Sequence, residues 1–350
     1  MKKRYLAWIV GLIMLSGPAI SQQKKTKAPA AKRPPAAQEL VLQGKVAEAV
    51  RLAAKTPNGP KDTLNVLLAM VDLKITDLQI AKAGAILEAA ERFVDEWAKV
   101  KKGKELPRDA IKGRKLRLQG IELSDQKEYA KAEGILKQAL EISKQLKDSV
   151  LEAGVRNNLG YALRLQQKLE ESVKEFEAAR QMAESQKDNL RAASYNLNLG
   201  NVLLQLDRTA SAIDAFKRAE VQGKAASKSN VEARAILMQG LAQTRIVSTV
   251  PEPLRQEPIR LMERAEKMFE EQGDDRNAGW ALYLIADRIA YSMKFADAAA
   301  LGERAIPYLS KVKDKEGLRK CYFLLMDMFN RLGDTAKSSK YKKLYDETEG

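Results

Sequence analysis

Residues 157–219 contain one unit twice at a fixed interval. Gly160, Ser172, Phe176 and Ala179 in "NNLGYALRLQQKLEESVKEFEAA" are matched by Gly200, Ala212, Phe216 and Ala219 in "NLNLGNVLLQLDRTASAIDAFKRA", each 40 residues further on. A recurrence of this length predicts a stacked array in which every helix pair buries its apolar face only against its neighbours. Subtracting 40 gives Gly120, Ala132, Leu136 and Ala139, and adding 40 gives Gly240. The next matching set, Ala286, Ala298 and Ala305, begins 46 residues after Gly240, so six residues are extra. The segment "VSTVPEPLRQEP" absorbs them, because Pro251, Pro253 and Pro258 forbid a continuous helix and mark an enlarged turn inside the fourth copy. A last step of 40 reaches Met326, in "CYFLLMDMFNRLGDTAKSSKYKKLYDE", where "RLGD" predicts a turn between helices.

The spacing has a steric cause. A small residue, a second one 12 later, a large apolar one 16 later and a third small one 19 later let two antiparallel helices approach closely, with the large side chain filling the gap. This pattern resembles the tetratricopeptide repeat over residues 111–345, with three strong copies and three degenerate ones. The bulky residue usual in that family four before the first small one is Leu116 in one copy but Arg156 and Asn196 in the next two, and its closing proline is replaced by Lys144, Glu184 and Lys224. Without that proline the second helix runs on, which suits a 40-residue unit and is similar to the long-helix variant found in kinesin light chains. The resemblance implies an all-α, right-handed superhelical solenoid of antiparallel helix pairs that works by presenting a surface to other proteins.

The chain opens with a targeting pattern. Lys2, Lys3 and Arg4 precede an apolar run from Leu6 to Leu15, and "SGPAIS" offers Ala19 and Ser21 for cleavage before Gln22, so residues 1–21 are expected to be a signal peptide. The run is shorter than the ~20 apolar residues a membrane-spanning helix needs, and no cysteine follows it for lipid attachment. A periplasmic location is expected ahead of an extracellular one. Residues 22–37, "QQKKTKAPAAKRPPAA", lack apolar periodicity and are expected to be a disordered basic tether. The formal charge of +15 includes +3 from the signal and +5 from the tether, leaving +7 on the body.

Residues 38–106 are expected to form a less regular helical cap and residues 107–350 an array of about six helix pairs. In the cap, "ELVLQGKVAEAVRLAAK" suggests one helix, "DTLNVLLAMVDLK" a second with Asp62 as its N-cap, and the stretch from Asp77 toward Val100 a third, before a joint at "KKGKELP". In the array, Asp148 and Asp188, like Asp274 and Asp314, are 40 apart and lie where a carboxylate accepts hydrogen bonds from free helix N-terminal amides. Capping, and not metal or acid chemistry, is their expected role.

The inventory bounds the chemistry. With no histidine and one cysteine in 350 residues, His-based zinc sites, Cys-His dyads and Ser-His-Asp triads are excluded. No G-x-x-x-x-G-K-[ST] phosphate loop occurs. Neither catalytic residues, nor a metal, nor a cofactor is expected, and Cys321 in "KCYFLLMDMF" is expected to be a hidden apolar side chain. Nucleic acid is disfavoured as a partner, since export would remove the chain from it and the body has no basic stripe with interleaved aromatics.

What remains is a surface. In tetratricopeptide proteins the side of each first helix away from the core stripe lines a concave groove. Projected at 3.6 residues per turn, that side holds Arg114 and Arg117, then Asn157, Tyr161 and Arg164, then Asn201 with Leu197 and Leu204, then Leu237 and Leu241, then Trp280, Tyr283 and Asp287, then Phe323 and Asp327. Arg114 and Arg117 are expected to be exposed, so that reversing both charges leaves the fold intact. The favoured function is an exported scaffold that holds a peptide or helix of another cell-envelope protein in this groove, main-chain amides meeting Asn157 and Asn201 and an acidic group meeting the arginines. The alternative is an envelope adaptor that uses its convex face and residues 22–37 on an anionic cell-wall or membrane surface.

Overall fold

The computed structural model describes residues 36–100, 105–246 and 256–348. The expected signal, almost all of the tether, the first four residues of the joint and most of the proline-bearing insertion lie outside the described residues. Sixteen helices and no strand occur among those that are described, in consecutive packed pairs. The chain is all-α and built on the tetratricopeptide plan. Contacts divide it into two compact units that meet in sequence between Arg191 and Ala192.

The first unit begins with α1 (Ala37–Leu42), α2 (Val46–Ala53), α3 (Gly59–Thr76) and α4 (Ile80–Val100). The single helix expected over residues 39–55 is two helices, because Gly44 turns left-handed at φ 78° and the amide of Lys45 reaches back to the Leu40 carbonyl. The second expected helix also starts earlier. Pro60 sits in the first turn of α3, where its missing N–H is no loss, and Asn58 rather than Asp62 holds the N-cap position. The unit continues with α5 (Arg108–Asp125), α6 (Tyr129–Leu146), α7 (Ser149–Leu165) and α8 (Leu169–Ser185). The helices on either side of residue 106 share a core here: Leu64, Leu67, Leu87, Phe93 and Trp97 cluster with Ile111 and Leu118 of α5.

The second unit takes in all but the first residues of α9 (Asn189–Gln205), then α10 (Thr209–Ala225), α11 (Ser229–Gln243), α12 (Glu257–Glu271), α13 (Asp275–Tyr291), α14 (Phe295–Lys311), α15 (Lys315–Arg331) and α16 (Thr335–Glu347). Proline again starts a helix, Pro258 standing in the first turn of α12.

The small residues of the repeat do what the spacing requires. A Cβ on Gly200 would lie 2.4 Å from the Phe216 ring, one on Gly160 3.0 Å from Phe176 and one on Gly120 2.5 Å from Leu136, so each large side chain occupies the space its glycine vacates. The second small residue adds a polar tie where it is serine: Ser172 Oγ donates to the Gly160 carbonyl at 2.7 Å, and Ser338 to that of Met326 at 3.1 Å. Polar pairs replace the bulky residue the family usually has on the first helix. Arg156 bridges α7 to α8 through Glu175 at 2.9 Å, and Asn196 bridges α9 to α10 through Gln222 at 2.8 Å.

A shorter period governs the connections. Lys127, Lys147, Gln167, Lys187, Asp207 and Ser227 have left-handed φ between 53° and 64°, one every 20 residues; after a 46-residue step the series resumes at Gly273, Met293, Lys313 and Gly333. At Lys147 the amide donates to the carbonyl of Lys144 while the next, Asp148, donates to that of Ser143, closing the helix with two bonds. The same pair of bonds recurs at Gln167, Lys187, Ser227, Gly273, Lys313 and Gly333. The following residue opens the next helix, and Asp148, Asp188, Asp274, Asp314 and Asp334 each accept an amide three residues on at 2.9–3.2 Å. The expected aspartate caps are therefore caps, and Asp334 is a fifth.

Candidate functional site

In the first unit, Asp72 is the centre of the polar structure on the first helices. It is fully buried on α3 and holds two guanidinium groups of α5. Arg114 donates to its Oδ2 through Nε at 3.0 Å and Nη2 at 2.6 Å, and Arg117 to its Oδ1 at 3.2 Å. Both arginines also reach α7: Arg114 Nη1 donates to Asp148 Oδ2 at 2.9 Å and Arg117 Nε to Asn158 Oδ1 at 2.8 Å. Gly154 makes the room, since a Cβ there would lie 2.4 Å from the centre of the Arg117 guanidinium. Burial works against the Arg114 charge, but Asp72 and Asp148 outweigh it and raise its pKa.

The expectation of exposure at these two positions is thereby corrected. Arg114 and Arg117 are 4% and 3% exposed. Their charge reversal would place carboxylates against a buried carboxylate, so the fold would not survive it. Asp72, which the repeat pattern does not single out, decides this. Its signal in the sequence is a carboxylate on the buried stripe of an amphipathic helix, in register with Leu64 and Leu68.

Arg164 differs from this pair. It is 3% exposed on α7, with its guanidinium 5.2 Å from the Tyr161 ring centre. Burial pushes its pKa down, the nearby Tyr161 and Tyr129 only partly opposing this. Asn157 and Tyr161, on the same helix, are partly exposed.

In the second unit the aliphatic positions Leu197, Leu204, Leu237 and Leu241 are each at most 2% exposed, because α9 and α11 carry apolar residues on nearly all sides. They are core and not an open apolar surface. Trp280 is core too: it is 1% exposed, donates through Nε1 to Asp314 Oδ2 at 3.1 Å and meets Tyr283 edge-on at 5.7 Å. Asp287 pairs with Arg288, and Asp327 with Arg331 at 2.9 Å. Phe323 is 45% exposed and leans on Tyr345 at 5.7 Å. Cys321 is fully buried, and burial pushes its thiol up to about 12.

The second unit also contains buried amide atoms without partners among the described residues. Asn201, 1% exposed, has neither its Oδ1 nor its Nδ2 hydrogen-bonded. On the same helix Asn196 Oδ1 and Gln205 Oε1, and on α11 Gln239 Oε1, lack partners as well. Native interiors leave few such groups, each at a desolvation cost of about 1–3 kcal/mol. Among the described residues no group of three or more His, Cys, Asp or Glu side chains is placed to hold a metal ion, and no helix is long and apolar enough to cross a membrane.

Residues 151–220 match the tetratricopeptide repeat family profile. No curated protein matches the sequence. Among solved structures, the signal-transduction ATPase of the STAND class with a tetratricopeptide repeat sensor from Pyrococcus horikoshii aligns with a TM-score of 0.60 at 14% identity, over 89% of this chain and 47% of that one. This chain thus spans about half of that protein. Aspartyl phosphate phosphatase F from Bacillus subtilis aligns with a TM-score of 0.57 at 15% identity, over 92% and 96% of the two chains. A Rap protein in complex with competence and sporulation factor aligns with a TM-score of 0.55 at 13% identity, over 89% and 97%. At these identities the likeness is one of fold.

Proposed function

We propose that this chain, with tetratricopeptide repeats at residues 151–220 set in an all-helical array, is an exported, non-catalytic scaffold that holds an extended segment of a partner protein. The observation that carries the reading is Asn201. A carboxamide offers one donor and one acceptor side by side, the complement of a peptide group, and here both are buried and unused. A partner's main-chain N–H and C=O would satisfy them. A helical partner would not, since its main-chain groups are bonded internally. The Rap protein solved with competence and sporulation factor shares the fold and supports a binding role for such an array.

The place of action we propose is the periplasm, on the charged and then apolar pattern of residues 1–21. N-terminal sequencing of protein recovered from cells tests this, a start at Gln22 supporting export and a start at Met1 or Lys2 refuting it. Partner capture tests the scaffold. The mature protein and its Asn201→Leu variant are cross-linked in envelope extract, and the reading predicts a partner that the wild type retains and the variant loses. Equal capture by both would overturn the role given to Asn201.

A further inference from the structure

We infer that Arg164, with Tyr161 beside it, is a receptor for one carboxylate, supplied by an aspartate or glutamate side chain of the partner segment. The inference rests on the scaffold reading, yet its evidence comes from a different unit of the molecule. The sequence places the three arginines on one side of the first helices to meet an acidic group, and the structure separates them. Arg114 and Arg117 are committed to Asp72, Asp148 and Asn158. Arg164 is as deeply placed as they are, at 3% exposure, and among the described residues no carboxylate lies within ion-pair distance of it.

A buried guanidinium without a counter-ion is costly, because removal from water is not offset by a nearby negative charge. The Tyr161 ring at 5.2 Å attracts it, but one aromatic face compensates only a fraction of that loss. The free protein thus holds an unneutralised positive charge in a low-dielectric setting, where an opposite charge is felt most strongly. Asp125, the carboxylate felt by the Tyr161 hydroxyl, forms no ion pair with Arg164. The site carries one formal charge and a planar fork of N–H donors, which matches a monoanionic carboxylate better than a dianionic phosphate.

The test uses the full mature chain, labelled with nitrogen-15 arginine, and the acetate ion as probe. The Arg164 Nε–Hε signal is identified by its disappearance in Arg164→Met. Acetate should shift that signal saturably, with the Arg114 and Arg117 signals unmoved. Arg164→Met should retain or raise the thermal midpoint, since an apolar chain replaces an unpaired charge; a lowered midpoint would mean a structural arginine and overturn the inference. It also fails if chloride at equal ionic strength shifts the signal as much, if acetate shifts nothing, or if inorganic phosphate binds more tightly. Failure here leaves Asn201-dependent capture standing, and loss of that capture alone leaves an acetate-responsive Arg164, so the two readings fail separately.

Discussion

Two regions of the molecule treat buried polar groups in opposite ways. Around Asp72 every charge has its opposite: one carboxylate faces two guanidinium groups, which in turn reach Asp148 and Asn158. The two carboxamide atoms of Asn201 are equally buried and have no partner among the described residues. Arg114, Arg117 and Asn201 belong to the same set of repeat positions, the side of the first helix turned from the core stripe. Position in the repeat therefore does not decide whether a side chain holds the fold together or is left for something else. The decisive factor is whether another element brings a complementary group. For the arginines it is α3, more than 40 residues back along the chain, and for Asn201 no described element does so.

The comparison breaks first at its centre. Asp72→Ala leaves two buried guanidinium groups facing each other, and removing one partner of a buried pair costs about 3–5 kcal/mol, so chemical denaturation should show loss of most of the stability of the first unit. A variant as stable as wild type would mean the network is ornamental. Gly154→Ala attacks the same network sterically: with a Cβ 2.4 Å from the guanidinium that Asp72 and Asn158 hold, Arg117 must move. Overpacking costs about 1–3 kcal/mol, and combining this change with Arg117→Met should recover much of it, whereas purely additive losses would deny the coupling.

On the other side of the comparison the sign changes. Asn201→Leu keeps the branched skeleton of the side chain and removes two unsatisfied atoms, so the thermal midpoint should hold or rise, by about 1 kcal/mol in stability, while the partner is lost. A clear destabilisation would show that Asn201 serves the fold as Asp72 does. The smallest effect concerns Glu133 on α6, a paired carboxylate at 9% exposure. Burial opposes its ionisation, but hydrogen bonds from Lys137, Lys168 and Gln166 outweigh this and lower its pKa from 4.5 to about 2. The folded value lies below the unfolded one, so its contribution is complete above pH 4.5 and fades as pH falls toward about 2. Glu133→Gln should flatten the stability curve across that window and nowhere else.

The periodic part of this fold was legible in the sequence because its causes are periodic. Gly160 against Phe176, Gly200 against Phe216 and the capping aspartates follow from spacing alone, and so does the 46-residue step. Arg114 and Arg117 were misjudged for a physical reason. Helical projection gives the direction of a side chain but not what waits there, and their partner lies 42 and 45 residues back, on α3. Trp280 was assigned to an open face by the same projection and proved to donate to an N-cap aspartate of the following hairpin. The 20-residue series of left-handed residues was hidden by composition. Only Gly273 and Gly333 of its ten members are glycine, and the others adopt a conformation that costs an L-residue about 1 kcal/mol.

That series makes hairpins interchangeable along the chain. Lys147–Asp148, Lys187–Asp188 and Lys313–Asp314 are the same dipeptide, a left-handed lysine followed by a capping aspartate. Cutting the gene between codons 147 and 148 and again between 187 and 188 would remove one whole hairpin and rejoin the chain as Lys-Asp, with the closing bonds of one helix and the opening bond of the next both supplied. Length in this protein is thus a digital quantity: recombination can add or delete a cassette without leaving a scar at the seam, whereas an insertion of any other size breaks the 20-residue series, as the 46-residue step from Ser227 to Gly273 does.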